Sequence, residues 1–208
     1  MRDESMASEQ KDPSKLAEAF LPAEVETTVE PALVVFSGLP GTGKSYLSHI
    51  LARGLGAVIV ESDHVRKTIF SPPTYSAEES ELVHRVCRIV AGRLLQRGAN
   101  VVYDATNLVE FQREMIYHLA DKSGARLVIV QTVAPEEVVR ERLERRKLHE
   151  NKDDISDADW RIYQSMQRNI GKGSRFGRNF IIVDTSGDSE EAVVRILRVI
   201  RKTGARKT

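Results

Sequence analysis

The chain has 208 residues, of which 41% are hydrophobic, and a formal net charge of +1. This length and composition predict one folded domain with a substantial core. No stretch approaches the roughly 20 apolar residues that span a bilayer, and the single cysteine, Cys87, cannot form an internal disulfide. We therefore expect a cytoplasmic protein that does not enter a membrane, with Cys87 packed among aliphatic neighbours.

The charge is unevenly distributed along the chain. Residues 1–30 hold three basic and eight acidic side chains, a balance of −5, so the remaining residues carry +6. The first 30 residues lack the apolar core of a signal sequence. We predict an acidic leader that is mobile over much of its length, with a short helix near 14–21. Residues 31–208 are predicted to form the domain, whose positive surplus suits an anionic substrate.

From residue 31 onward, apolar β-branched runs alternate with segments of helical periodicity. The predicted strands are 32–37, 57–61, 100–104, 126–133 and 179–184, and the predicted helices are 43–55, 63–70, 77–97, 109–123, 135–148, 157–170 and 189–203. The strands are apolar on both faces, which is typical of a parallel sheet covered by helices on both sides. The pattern therefore predicts a three-layer α/β fold with a five-stranded parallel sheet.

The turn after the first strand carries the most informative motif. It reads Gly38-Leu39-Pro40-Gly41-Thr42-Gly43-Lys44-Ser45. Its glycines let backbone N–H groups surround phosphate oxygens, and the following helix points its positive end at the same anion. Lys44 is expected to bridge the outer phosphates, and Ser45 to ligate Mg²⁺. The order strand, loop, helix favours this interpretation over a glycine-rich turn that merely links two elements.

The predicted nucleotide site therefore comprises the whole motif, the next residue Tyr46, and Thr185 in the turn after the last strand. Its predicted ligands are ATP, or GTP in its place, and Mg²⁺. In parallel α/β sheets ligands gather at the carboxyl ends of the strands, so the residues that follow each strand are the remaining candidates.

A carboxylate and a guanidinium follow the second strand. Asp63 and Arg66 lie one helical turn apart and on the same face. A kinase needs a carboxylate that takes the proton of the attacking hydroxyl and a cation that holds an anionic acceptor. We predict these roles for Asp63 and Arg66. The alternative is that Asp63 caps the helix and Arg66 is an exposed helix charge.

The third strand ends in a further acid. Asp104 is predicted to act on the metal side, through metal-bound water or through Ser45. Thr106 and Asn107 are predicted to contact the acceptor, and Arg113 to reach a phosphate. For Arg113 the alternative is a surface salt bridge.

The helix after Pro135 predicts an arginine-bearing lid at about 140–160. Arg142 and Arg146 are four residues apart, so both can point at one anion and stabilise the charge of the transferred phosphoryl group. The alternative is a solvated face of alternating arginine and glutamate. The basic segment 171–178 is open between a ligand contact and an ordinary loop.

These signatures resemble the family of phosphate-loop kinases that includes the 5′-hydroxyl kinase domains of polynucleotide kinases and, more distantly, zeta-toxin and gluconate-type kinases. The matching pieces are 38–45, 62–63 with Arg66, 104–107 with Arg113, Arg142 with Arg146, and 156–160. The resemblance implies the P-loop nucleoside triphosphate hydrolase or kinase fold and the use of ATP. It also implies that Asp63 is the general base, that Arg66 grips the phosphate 3′ to the reacting hydroxyl, and that Arg142 and Arg146 belong to the lid.

Three functions are consistent with the sequence. The first is an ATP- and Mg²⁺-dependent kinase whose acceptor is a polynucleotide 5′-hydroxyl. The second is a kinase for a small metabolite or a sugar nucleotide. The third is an ATP-binding regulatory module without an acceptor.

Overall fold

A five-stranded parallel sheet lies at the centre of the computed structural model, which describes residues 12–105, 110–149, 160–169 and 179–204. The strands are β1 Ala32–Ser37, β2 Val58–Glu61, β3 Val101–Asp104, β4 Arg126–Val133 and β5 Phe180–Asp184. The helices are α1 Pro13–Glu18, α2 Lys44–Leu55, α3 Ser62–Ile69, α4 Ala77–Gln96, α5 Glu110–Ser123, α6 Glu136–His149, α7 Trp160–Asn169 and α8 Ser189–Gly204. Each predicted strand is confirmed to within one residue at either end.

The strand order is β2-β3-β1-β4-β5, and every neighbouring pair is parallel. In this register Asp104 of β3 is level with Phe36 of β1 on one side and with Glu61 of β2 on the other. The segments that follow β1, β2 and β3 therefore leave the sheet side by side at its carboxyl edge. This arrangement confirms the predicted fold class and brings three of the candidate segments to one place.

Alternate residues of the central strands feed two separate cores. Leu33 and Val35 of β1 face a cluster completed by α4 and α5, whereas Val34 and Phe36 face a cluster completed by α2 and α8. All six residues of β1 are buried, because helices cover both faces of the sheet. Cys87 lies in the first core, and burial raises its pKa to about 12, so the predicted packing role is confirmed.

The described part of the predicted leader, residues 12–30, packs against the domain. Ala17 of α1 is completely buried in the first core, and the ring of Phe20 meets the edge of His64 on α3 with 5.9 Å between centroids. Arg97 donates to two leader carbonyls at 2.8 and 2.9 Å. The prediction of a mobile leader did not include this packing. The apolar side chains of the leader are buried by helices that lie far away in the sequence, so the leader sequence alone does not reveal the contact.

None of the helices that the structure describes combines the length and the hydropathy needed to cross a membrane.

Candidate active site

The loop between β1 and α2 has a backbone that only glycine tolerates at two positions. Gly38 and Gly41 have φ angles of 147° and 76°. A Cβ on Gly38 would lie 2.6 Å from the hydroxyl of Thr132, and one on Gly41 would lie 2.9 Å from Val139 on α6. The loop is therefore held in the conformation that turns backbone N–H groups toward a phosphate.

A chain of hydroxyls fixes the underside of this loop. The Thr42 hydroxyl donates to the Leu39 carbonyl at 2.6 Å and must therefore accept from the hydroxyl of Thr132 on β4, 2.8 Å away. The Thr42 amide also donates to the Leu39 carbonyl, at 3.3 Å. The Thr42 side chain is buried and shapes the loop, and the predicted contact between this residue and a nucleotide stays a prediction. Thr132 was not predicted as a site residue, although a threonine within an otherwise apolar strand indicates a buried hydrogen bond.

Lys44 begins α2 and lies at the centre of the site. Its Nζ donates to the Leu39 carbonyl at 3.0 Å. Lys44 is partly buried, and this burial lowers its pKa. The negative charges of Asp104 and Asp63 oppose that shift, and the positive charge of Arg146 adds to it. Three predicted site residues from three different elements therefore influence the pKa of this one ammonium.

The metal side of the site is formed by Asp104 and the first turn of α2. The Asp104 carboxylate is buried and lies 3.2 Å from the hydroxyl of Ser48, which also reaches the Ser45 carbonyl at 2.9 Å. Ser48 was not predicted. The Ser45 residue itself is exposed.

These groups fit Mg²⁺, which usually takes one or two protein oxygens and fills its other positions with water and phosphate. In the described part of the chain, no group of three or more His, Cys, Asp or Glu side chains is arranged as a metal cage. The hydroxyl of Ser45 and the carboxylate of Asp104, beside the phosphate loop, are the ligands expected for a metal ion that binds together with its nucleotide.

Asp63 lies in the first turn of α3, where Glu61 occupies the N-cap position. The alternative interpretation of Asp63 as the helix cap is therefore wrong. Burial raises the pKa of Asp63 and the charge of Asp104 raises it further, while Lys44 and Arg66 oppose the shift. A carboxylate with a raised pKa is a stronger proton acceptor than an ordinary aspartate.

Arg66 is buried rather than exposed, with 7% of its surface accessible. Its Nη1 donates to Glu79 at 2.6 Å, its Nη2 lies 3.3 Å from the Ser80 hydroxyl, and its guanidinium lies 4.9 Å from the centre of the Tyr75 ring. The alternative interpretation of Arg66 as an exposed helix charge is wrong. The predicted contact between Arg66 and an acceptor stays a prediction, and it has to coexist with this ion pair.

Glu79 holds Arg66 in place and was not predicted as a site residue. Its carboxylate accepts from the Thr74 amide at 2.7 Å, the Thr74 hydroxyl at 2.8 Å and the Tyr75 amide at 3.3 Å. Burial raises the pKa of Glu79, but Arg66 and these donors outweigh burial and bring the pKa to about 2. The signal in the sequence was the capping pair at the start of α4, where the Glu79 amide donates to Ser76 at 3.2 Å.

Both lid arginines lie beside the phosphate loop. Arg142 donates to the Thr185 hydroxyl at 2.9 Å and to the Thr185 carbonyl at 2.6 Å, and that hydroxyl donates to the Thr42 carbonyl at 2.8 Å. The positive charge of Arg146, one turn further along α6, helps to lower the pKa of Lys44. The expectation that both arginines face one anion stays a prediction.

The lid helix packs directly on the phosphate loop. Val139 and Leu143 of α6 form a small core with Tyr163 of α7, against which Leu39 of the loop and Trp160 pack. The first half of the predicted lid is thus a wall of the site. The part of the predicted lid at 150–159 lies outside the described residues.

The other predicted residues divide into three groups. Thr106 and Asn107 lie outside the described residues. Arg113 on α5 is buried, with 5% of its surface accessible, so the alternative of a surface salt bridge is wrong. Tyr46 is 67% exposed beside the loop, and Pro40 is buried within it.

Comparison with known proteins places the chain in a family. Residues 33–169, about two thirds of the chain, match the AAA_33 family, described as an AAA domain. The chain belongs to this family of P-loop, kinase-like phosphotransferases. Among its relatives, the 6-phosphofructo-2-kinase/fructose-2,6-bisphosphatase 3 of Homo sapiens is 28% identical over 129 residues, which are 54% of this chain and 25% of that protein. The chain thus spans about a quarter of the length of this relative.

Solved structures show the same fold. The APS kinase of Mycobacterium tuberculosis, solved with AMPPNP and APS, has a TM-score of 0.61 and 17% identity, over 83% of this chain and 98% of that chain. A gluconokinase from Sinorhizobium meliloti 1021 has a TM-score of 0.57 and 20% identity, over 83% and 93%. The fold is therefore that of P-loop kinases.

Replacing Glu79 by glutamine tests the ion pair under the acceptor side. We expect Glu79→Gln to lower the free energy of unfolding by about 3 kcal/mol, because it leaves the buried Arg66 without its counterion. Urea unfolding measures this loss, with the exposed Glu81→Gln as a control that changes stability by less than about 0.5 kcal/mol. Since the folded pKa of Glu79 lies below its ordinary value of 4.5, the stabilisation is present above pH 4.5 and disappears toward pH 2.

Equal stability of the two variants at neutral pH would show that the buried pair contributes nothing to the fold.

Proposed function

We propose that this protein is an ATP- and Mg²⁺-dependent kinase that transfers the γ-phosphoryl group to a hydroxyl of a small anionic metabolite. The observation that carries the proposal is the proximity of Asp63 to Lys44, each of which influences the pKa of the other. A proton acceptor beside the lysine of a phosphate loop is the arrangement that phosphoryl transfer to a hydroxyl requires.

Each part of the site has a role in this reaction. The backbone of the loop holds the phosphates, and Lys44 leaves the Leu39 carbonyl to bridge the outer two. Asp63 takes the proton of the acceptor hydroxyl as that oxygen attacks the γ-phosphorus, and the bond between the γ-phosphorus and the β–γ bridging oxygen breaks so that ADP leaves. Ser45 and Asp104 would hold Mg²⁺, which neutralises charge on the β and γ phosphates when it is bound.

The two lid arginines have different roles in this proposal. Arg146 lies on the Lys44 side and would stabilise charge on the equatorial oxygens of the transferred group. Arg142 is fixed to Thr185, at the turn where we predict the nucleobase edge, and would form a wall of the nucleoside site. The hydrogen bonds of Arg142 to Thr185 and the effect of the Arg146 charge on Lys44 support this division.

The acceptor is proposed from the relatives and from Arg66. The names 6-phosphofructo-2-kinase, APS kinase and gluconokinase denote kinases of small molecules, which favours a metabolite. Arg66 places a fixed positive charge one turn from Asp63, which favours an acceptor with a negative group. Its Nη1 already pairs with Glu79. Arg66 would therefore attract an anionic acceptor through its charge rather than through two parallel hydrogen bonds.

A polynucleotide 5′-hydroxyl is the second candidate acceptor. Two aromatic side chains near the starts of α4 and α5 are exposed, Tyr75 at 49% and Phe111 at 58%. Exposed rings of this kind stack on bases in proteins that bind single strands.

The acceptor panel that decides between these candidates uses ATP labelled on its γ-phosphate. Phosphorylated sugars, sugar acids, nucleosides and 5′-hydroxyl DNA and RNA oligomers are incubated with the enzyme at equal concentrations. Transfer to an anionic metabolite at least tenfold faster than to any oligomer supports the proposal. Transfer to oligomers alone identifies the second candidate, and tight ATP binding without any transfer identifies a regulatory module.

Asp63→Asn tests the general base. We expect it to lower kcat at least 1000-fold while the Kd for Mg–ATP changes less than threefold, because Asp63 acts on the acceptor. Since burial raises the pKa of Asp63, the wild-type rate should fall with decreasing pH at a pKa above the ordinary value near 4. The exposed Asp121→Asn is the control with unchanged kcat. A kcat for Asp63→Asn within tenfold of the wild-type value would show that Asp63 is not the general base.

Arg142→Ala and Arg146→Ala test the division of the lid. For Arg142→Ala we expect the KM for ATP to rise about tenfold with little change in kcat, because that side chain contacts the Thr185 turn. For Arg146→Ala we expect kcat to fall about 100-fold, because charge on the transferred group loses a partner. Steady-state kinetics with varied ATP measures both values. Identical changes in the two variants would show that the arginines act on one anion after all.

A further inference from the structure

A second positively charged site lies on the outer side of the first core, in a groove between α4 and the last turn of α5. The groove is open to solvent and has a volume of about 460 Å³. Four cationic side chains line it: Arg85, Arg88, Arg93 and Lys122. Its lining contains no carboxylate.

Two of these arginines are held in place by neutral partners. Arg88 donates to the side-chain oxygen of Gln112 at 3.2 Å, and Arg93 donates to the Ser14 carbonyl at 3.1 Å. Such acceptors orient a guanidinium without cancelling its charge. Arg85 and Lys122 have neither a hydrogen bond nor an ion pair within the part of the chain that the structure describes. Among the described lining residues, no carboxylate offsets these four positive charges.

A solvated helix face in the same protein looks different. On α6, Arg140 pairs with Glu144 at 2.9 Å and Arg145 pairs with Glu141, both four residues apart. Pairs of that kind neutralise an exposed charged helix locally. The absence of carboxylates from the groove lining distinguishes it from such a face and indicates a site for an anion.

The size and floor of the groove indicate the class of ligand. Its volume lies within the range of roughly 300–1,000 Å³ typical of small-molecule sites. The floor is apolar, with Ile89 and Leu119 beside Gly92, where a Cβ would lie 3.2 Å from Leu119. Four cations match two phosphate groups of about −1.5 to −2 charge each, and the floor accommodates an organic body between them.

The groove is separate from the active site. Its lining comes from the second half of α4 and the end of α5, and these segments lead into the amino ends of β3 and β4. The phosphate loop and Asp63 lie at the opposite, carboxyl edge of the sheet. A ligand in the groove therefore cannot be the acceptor of the proposed reaction.

We propose that this groove is a second binding site for a small organic molecule with two or more phosphate groups. Nucleoside polyphosphates and sugar bisphosphates share this chemistry. The proposal does not rest on the kinase activity, since it concerns binding alone.

Calorimetry distinguishes a nucleoside polyphosphate from a sugar bisphosphate as the ligand of the groove. In the first titration Mg–AMPPNP is added to the full chain, and a nucleotide ligand of the groove gives two sites instead of one. In the second, fructose 1,6-bisphosphate is added after the phosphate loop has been saturated with Mg–AMPPNP. We expect one of these probes to bind the groove with a Kd below about 100 μM, which corresponds to a bound fraction above one half at that concentration.

Variants then locate the site. The triple variant Arg85→Ala, Arg88→Ala and Lys122→Ala should weaken the second binding event at least tenfold, and binding at the phosphate loop should persist as a sign of correct folding. The control is Arg195→Ala, Arg198→Ala and Lys202→Ala on α8, which removes the same charge from another exposed helix and should change the second Kd less than twofold. The single Lys122→Glu, on the exposed rim, repeats the test if the triple variant loses its fold.

Three results would overturn the proposal. The first is that neither small probe shows a second site. The second is that the control variant weakens binding as much as the groove variant. The third is a 5′-phosphorylated single-stranded decamer that binds the groove tenfold more tightly than both probes, which would make the ligand a macromolecule.

Discussion

The partly buried ammonium of Lys44 is the constraint on which the rest of the site depends. Taking a positive charge out of water is unfavourable unless negative groups surround it, and here they come from the ends of two other strands. Asp104 closes β3, and Asp63 lies just after β2. The carboxyl ends of β1, β2 and β3 must therefore be level, and the parallel register makes them so.

Other contacts keep this arrangement rigid from both sides. On the side of β4 and β5, Thr132 and Thr185 hold the underside and the end of the phosphate loop. On the side of β2, the buried pair of Arg66 and Glu79 fixes α3 against α4. Because the lid helix also packs on the loop through Val139, a change in any of these elements reaches the phosphate cradle. The groove between α4 and α5 is tied to the same framework through Arg88 and Gln112, close to the start of α5.

The sequence predicted what is encoded locally. Strand bounds follow from apolar runs, and the phosphate loop follows from glycines at fixed spacing, so both were placed almost without error. Asp63 and Asp104 could be proposed as candidates because Asp104 ends a strand and Asp63 comes shortly after one. Partners across elements had no such local signal: Glu79 lies 13 residues from Arg66, and Thr132 lies 90 residues from Thr42. The contact between Arg142 and Thr185 also had no local signal, because helical spacing gives a shared face but not the partner that each side chain reaches.

The most direct test of the central claim is calorimetric titration of Mg–ATP into the wild type and Lys44→Ala, with the exposed Lys202→Ala as a control. We expect the wild type and the control to bind Mg–ATP tightly. We expect the affinity of Lys44→Ala for Mg–ATP to be at least 100-fold weaker, because the outer phosphates lose their bridging ammonium. Equal affinity in all three proteins, or no binding to the wild type, would contradict a phosphate site built around Lys44.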